Sequence, residues 1–251
     1  MNLTNLIALF IFIFGTIIGS FLNVLIYRIP LKLDFVKGHS FCPHCHHGLS
    51  ALDLFPVFSF LFLKGKCRYC GEKISWRYPL IELLTGILFA LSYLRFGNTW
   101  MSLIGMALAA DLVVLSMIDI DTMEFDDGFS IFIVILAILA FVIHPSNLMF
   151  VLLGMFVISI PMYILAVLTG GFGGADIKLM GAAGLLLGFP NIIVAFFVGV
   201  ICGGIQAVFL LKKGKDKKTM MPFGPHLAIG IFIAFLAAQP ILDWYLSFFI
   251  S

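Results

Sequence analysis

The chain has 251 residues, 62% of them hydrophobic and only 11% charged, with a formal net charge of +2. Soluble globular domains carry about 25% charged residues, so this composition excludes one, and the mean hydropathy of +1.14 agrees. The apolar residues fall in runs of about 20, the length that spans hydrocarbon as a helix, and the chain is read as an all-α polytopic membrane protein.

Residues 6–26 form the first predicted span. Gly15 and Gly19 stand four apart, as close helix packing asks, and Asn23 near the end is a polar group in want of a partner. The run has no basic segment before it and is too long for a signal h-region, so no cleavable signal is expected. Pro30 closes the helix. Residues 28–77 then carry eight of the fifteen Lys and Arg residues and four of the five cysteines. Within them, 52–63 is apolar and suited to lie on the membrane or to cover the cysteines. Further spans are predicted at 80–96, 102–118, 129–143, 148–168, 177–189, 192–211 and 227–249, about eight in all. Helix breakers mark their edges: Pro79, Gly97-Asn98, His144-Pro145, 188–191 and 222–225. The expected domains are a first transmembrane helix (1–29), a cysteine domain (30–78) and a larger transmembrane domain (79–251).

Loop charge assigns the sides. Cytoplasmic loops are rich in Lys and Arg. Besides 28–77, the loop before the last span holds Lys212, Lys213, Lys215, Lys217 and Lys218, while the opposite side has only Arg95. With eight spans, both basic loops fall on one side, so the cysteine domain is expected in the cytoplasm and both termini outside.

Cys42-Pro43-His44-Cys45 and Cys67-Arg68-Tyr69-Cys70 form two C-x2-C pairs with 21 residues between them. Thiolates two apart on a tight knuckle fill two positions of a tetrahedral ion, and two knuckles fill all four. Two disulfides are the alternative, and the expected cytoplasmic placement argues against them. Four cysteines leave no open position, so a zinc ion there would be structural. His39, His44, His46 and His47 are read as surface residues, and Cys202 as a small apolar residue inside a span.

The stretch from Gly170 to Asp176 joins two spans. Gly171, Gly173, Gly174 and Ala175 leave room for backbone or substrate to come close, and a carboxylate follows at the head of a membrane helix. Such an acid is a functional candidate; it also reads as a loop with an Asp N-cap. Asp119 ends the third span on the same side. Two carboxylates on different helices at equal depth can meet and share one proton, giving a general base and a general acid. Asp121, Glu124, Asp126 and Asp127 read as solvated loop charge, with a helix cap at Asp127. Asp111, two turns before Asp119, is either a proton relay or bonded to a polar group on a neighbouring helix.

At this point the chain resembles the type IV prepilin peptidases, which are membrane aspartic proteases. Six pieces match in order over nearly its whole length: Gly19-Ser20-Phe21-Leu22-Asn23-Val24 with Tyr27-Arg28-Ile29-Pro30; the two cysteine knuckles; Arg77-Tyr78-Pro79-Leu80-Ile81-Glu82-Leu83; the acidic segment from Asp119; the glycine-rich segment through Asp176; and Pro222-Phe223-Gly224-Pro225-His226. The resemblance implies that Asp119 and Asp176 are catalytic, that Cys42, Cys45, Cys67 and Cys70 bind zinc, and that the enzyme sits in the bacterial inner membrane. It implies removal of the leader of a prepilin or pseudopilin at the cytoplasmic face. N-methylation with S-adenosylmethionine is a second activity of many members, with a site expected between the cysteine loop, Asn23 and Glu82. A lipid bilayer is an expected partner and nucleic acid is not. Two positions depart from the family pattern: Ala175 stands for the usual glycine, and Asp126 for the usual proline.

Acids within membrane spans also build ion pathways, so a proton-coupled carrier is the rival reading. A carrier would place its charges near the midplane and show an inverted repeat, and no such repeat is visible. A zinc scaffold with inert aspartates is a third reading. Zinc-protease chemistry lacks an H-E-x-x-H motif.

Overall fold

The four-residue spacing of Gly15, Gly19 and Asn23 decides how the first two long helices meet. A computed structural model describes residues 2–34, 38–214 and 221–248. Helix α1 (Leu3–Arg28) and helix α3 (Arg77–Phe96) pack in antiparallel register. A Cβ at Gly15 would stand 2.8 Å from the Cα of Gly86, and one at Gly19 would stand 2.7 Å from the Cα of Glu82. One turn further, the Asn23 amide donates to the carbonyls of Gly19 (3.2 Å) and Tyr78 (3.3 Å). The small residues thus do what the spacing predicts, and Asn23 finds its partner. Between these helices lies the short α2 (Phe58–Phe62).

The remaining helices are α4 (Trp100–Thr122), α5 (Asp127–Ile143), α6 (Leu148–Thr169), α7 (Gly174–Leu187), α8 (Asn191–Lys212) and α9 (Gly224–Ser247). Among the described residues six helices, α1, α3, α4, α6, α8 and α9, are long and apolar enough to cross a membrane. The protein is therefore an all-helical, multi-pass membrane protein. The predicted spans 129–143 and 177–189 are helices α5 and α7, with 17 and 14 residues, fewer than the roughly 20 that a full crossing takes. Among the described residues the only strand-like pairing is two isolated bridges, Phe41 with Gly48 and Lys66 with Lys73. Lys215, Lys217, Lys218 and Phe249, used above to assign sides and to end the last span, lie outside the described residues.

The chain forms two compact units, Met1–Val114 and Leu115–Ser251. In the second, α7 packs against α5, α6, α8 and α9. Its Leu179, Met180 and Ala183 are fully buried, so the helix that begins with the glycine-rich stretch is the core of its unit. Glycine again sets the approach: Gly184 of α7 meets Gly154 of α6 backbone to backbone, and Gly230 of α9 meets the Ala195 carbonyl of α8. Helix α9 bends at Ala237 (φ −143°), three residues before Pro240, whose ring removes a helical hydrogen bond.

Candidate active site and metal centre

In both knuckles the first cysteine exchanges backbone hydrogen bonds with the chain just past the second. Cys42 donates to His47 and accepts from His46; Cys67 donates to Glu72 and accepts from Gly71. The residue after the second cysteine is left-handed in each case, His46 at φ +55° and Gly71 at +75°. This repeated turn gathers the sulfurs of Cys42, Cys45, Cys67 and Cys70 within 4.8 Å of one another, with Cys42 and Cys70 3.9 Å apart. Thiolates 2.3 Å from a tetrahedral ion stand about 3.8 Å apart, so the donor set fits such a metal. None of the four is in a disulfide. Backbone N–H groups, that of Cys45 above all, lower the Cys42 thiol against burial. At Cys70 the backbone N–H of Glu72 is outweighed by burial and the neighbouring sulfurs, which push that thiol up, so the four do not lose their protons equally. His39, His44, His46 and His47 are exposed, as expected.

Asp53 ties the segment after the first knuckle to the second knuckle. It accepts from Arg68 Nε (2.6 Å), the Ser50 hydroxyl (2.7 Å) and the Tyr69 hydroxyl (3.2 Å). The Tyr69 ring lies 3.6 Å from that of His47. Glu82 of α3, buried, accepts from the backbone N–H of Val57 at 2.7 Å. Val57 is left-handed (φ +61°) and caps α2, a conformation that a β-branched residue rarely adopts. From α2, Phe60 packs on Gly65 and on the Trp76 ring at 4.6 Å, while Leu52, Phe55, Phe58 and Phe62 stay exposed. The apolar segment thus covers a knuckle on one face only. Beneath the knuckles lies a cavity of about 380 Å³ lined by Asn23, Arg28, Cys42, Tyr78 and Glu82 among others.

The second unit holds both aspartates. Asp119 lies in the last turn of α4 and Asp176 in the first turn of α7. They are 5% and 9% exposed and close enough for one carboxyl to act electrostatically on the other. Asp121, the neighbour passed over in the sequence, is exposed. Helix α6 ends at a left-handed Gly170 (φ +66°), and Gly173 caps α7 without a side-chain bond. Asp176 therefore stands inside the first turn and is not an N-cap. A Cβ at Gly173 would sit 3.4 Å from its Oδ2. Asp126, not Asp127, caps α5, accepting from Gly128 N–H at 2.7 Å; Asp127, one residue on, pairs with Lys178 at 2.6 Å.

Two features carry no role in the sequence reading. The backbone N–H of Gly224, at the head of α9, donates to Asp119 Oδ2 at 2.9 Å. His226 is buried within electrostatic reach of Asp119, and its Nδ1 has no hydrogen-bond partner among the described residues. The signal for both is that Pro222-Phe223-Gly224-Pro225-His226 is one of the pieces that carry the resemblance, without any indication of which residue it meets. In the first unit, Asp111 Oδ2 is likewise buried with no partner among the described residues, which leaves the expected bond to a neighbouring helix unmade at that oxygen.

Residues 13–96 match the Bacterial Peptidase A24 N-terminal domain, and residues 106–208 match the Type IV leader peptidase family. The chain is 35% identical to a prepilin leader peptidase/N-methyltransferase of Bacillus subtilis, over 94% of this chain and 97% of that one. It is 33% identical to the protein of that name in Neisseria gonorrhoeae, over 94% and 93%. It is 31% identical to the one in Aeromonas hydrophila, over 96% and 94%. No solved structure matches.

Proposed function

This chain belongs to the type IV leader peptidase family, and from that premise we propose that it removes the leader of a prepilin or pseudopilin, with Asp119 and Asp176 as its catalytic pair. The observation that carries this reading is the burial of two carboxylates, one at the end of α4 and one at the start of α7, with Asp119 within electrostatic reach of Asp176. A pair that shares one proton has one carboxylate to take a proton from water as the water attacks the amide carbon. The other carboxyl gives its proton to the carbonyl oxygen. As the resulting gem-diol collapses, the first carboxyl passes the proton taken from water to the amide nitrogen, the C–N bond breaks, and the second carboxylate takes back a hydroxyl proton. Gly171, Gly173, Gly174 and Ala175 form the loop beside this pair. Its lack of bulk leaves space for an extended substrate backbone.

The side assignment comes from the basic loops. On the eight-span reading, in which the short α5 and α7 also cross, the knuckles and both aspartates face the cytoplasm and the membrane is the bacterial inner membrane. Residues 1–29, 30–78 and 79–251 then serve as anchor, metal module and catalytic membrane domain. Zinc is the ion for the four cysteines, in a closed, structural site. For N-methylation, the cavity under the knuckles falls in the size range of small-molecule sites. Its lining offers the Glu82 carboxyl, the Asn23 amide and the Tyr78 ring to S-adenosylmethionine, a set of polar and aromatic groups that suits a sulfonium and a flat base. That cofactor, when bound, supplies an electrophilic methyl group. No observation favours the carrier reading.

The test is cleavage of a co-expressed prepilin by wild type, Asp119→Asn and Asp176→Asn at matched membrane levels. Asn keeps the size and removes the acid. Each single change is expected to abolish cleavage. Cleavage at the wild-type rate by both variants would sink the two-aspartate reading.

A further inference from the structure

Asp119 and Asp176 stand on different helices, and a shared proton demands that their relative placement hold to a fraction of an ångström. Three contacts at the head of α9 converge on that requirement. The Gly224 N–H reaches Asp119 Oδ2 at 2.9 Å across 105 residues of chain. A Cβ at position 224 would stand 2.8 Å from that oxygen and 3.2 Å from the Phe125 ring, so the backbone comes this close only as glycine. The adjoining Phe223 ring packs at 5.7 Å on Phe172, in the loop that leads into α7. Pro222 and Pro225 flank the pair and restrict the local backbone.

We propose that Gly224 is a positioning residue for the peptidase reaction: its N–H fixes the plane of the Asp119 carboxylate, and Phe223 beside it, packed on Phe172, ties that carboxylate to the loop carrying Asp176. The inference rests on the reading of Asp119 and Asp176 as the catalytic pair. With Oδ2 held by a fixed donor, the second oxygen of Asp119 is left for water. The same donor could serve only to anchor α9, and in that case its loss would reduce the amount of folded protein and not the turnover of what is folded.

The experiment uses the full chain in proteoliposomes with a purified prepilin as substrate. It reads kcat, KM and the folded fraction for wild type, Asp119→Asn, Gly224→Ala and Phe223→Leu. A misplacement near 1 Å costs about 100-fold in rate. Gly224→Ala is therefore expected to lose about 100-fold in kcat per folded enzyme, with KM within about twofold. Phe223→Leu, which adds no bulk, is expected to lose about tenfold in the same pattern, and it carries the test if Gly224→Ala does not fold. Wild-type kcat per folded enzyme in the folded variants overturns the proposal, as does a loss that tracks folded protein alone. The control separates two failures. If Asp119→Asn cleaves normally, the catalytic pair is wrong. If it is inert while Gly224→Ala and Phe223→Leu turn over normally, only the positioning role is wrong.

Discussion

Asp53 ties the segment after the first knuckle to the second knuckle by hydrogen bonds that need no metal. Burial pushes its carboxyl up, but bonds from Ser50, Arg68 and Tyr69 hold it at about 2, below the ordinary value of 3.8. The sign of the pH dependence follows. A carboxyl depressed in the folded state stabilises fully above about pH 4, and that stabilisation is lost as pH falls toward 2. Asp53→Asn should remove this acid-range dependence from the knuckle segment. Amide hydrogen exchange of residues 41–48 and 66–73 in the metal-free protein, taken from pH 5 to 2.5, reads it directly; equal profiles for wild type and variant would refute the role. At this scale the sequence shows chemistry better than contacts. Asp119, Asp176 and the four cysteines are visible because a carboxylate at a membrane helix end and a doubled C-x2-C are rare without a purpose. Gly224 is marked only as part of the Pro222-Phe223-Gly224-Pro225-His226 piece, which does not name its partner. A backbone N–H is the same on every residue, and only the fold brings this one to Asp119.

Helix edges are legible because Pro, Gly and Asn interrupt apolar runs, and the eight predicted segments all become helices. Which of them cross the membrane is less legible. Helices α5 and α7 are apolar but short, and hydropathy does not distinguish a helix buried among others from one facing lipid. The glycines settle the packing. Gly184 meets Gly154 backbone to backbone, whereas Gly204 of α8 has no atom within 4 Å of a would-be Cβ. Gly184→Val should therefore destabilise by at least the 1–3 kcal/mol typical of overpacking, because backbone cannot yield as a side chain does. Gly204→Ala should be neutral or slightly stabilising through helix propensity. Thermal unfolding in detergent compares them, and equal melting temperatures would show that α6 and α7 do not depend on this contact.

The whole molecule separates its chemistries along the chain. The cysteines, Asn23, Tyr78 and Glu82 belong to the Met1–Val114 unit, and Asp119, Asp176 and Gly224 belong to Leu115–Ser251. On the proposed reading, a four-thiolate ion would have no open position for a substrate and would act on its own unit by holding the knuckles over the cavity. The proposed water attack at the aspartate pair needs no metal. Stripping the ion with a chelator, or replacing Cys42 and Cys67 together by Ser, should then abolish methylation of a pre-cleaved prepilin. Leader cleavage should persist within about tenfold, a change of roughly 1.4 kcal/mol in barrier. Both reactions are read in one proteoliposome assay by mass of the substrate's N-terminal peptide, with metal content checked in parallel. Loss of cleavage together with methylation, in protein whose Leu115–Ser251 helices still resist proteolysis, would mean that the metal module presents the leader to the aspartates. Its four cysteines would then belong to the peptidase reaction as well.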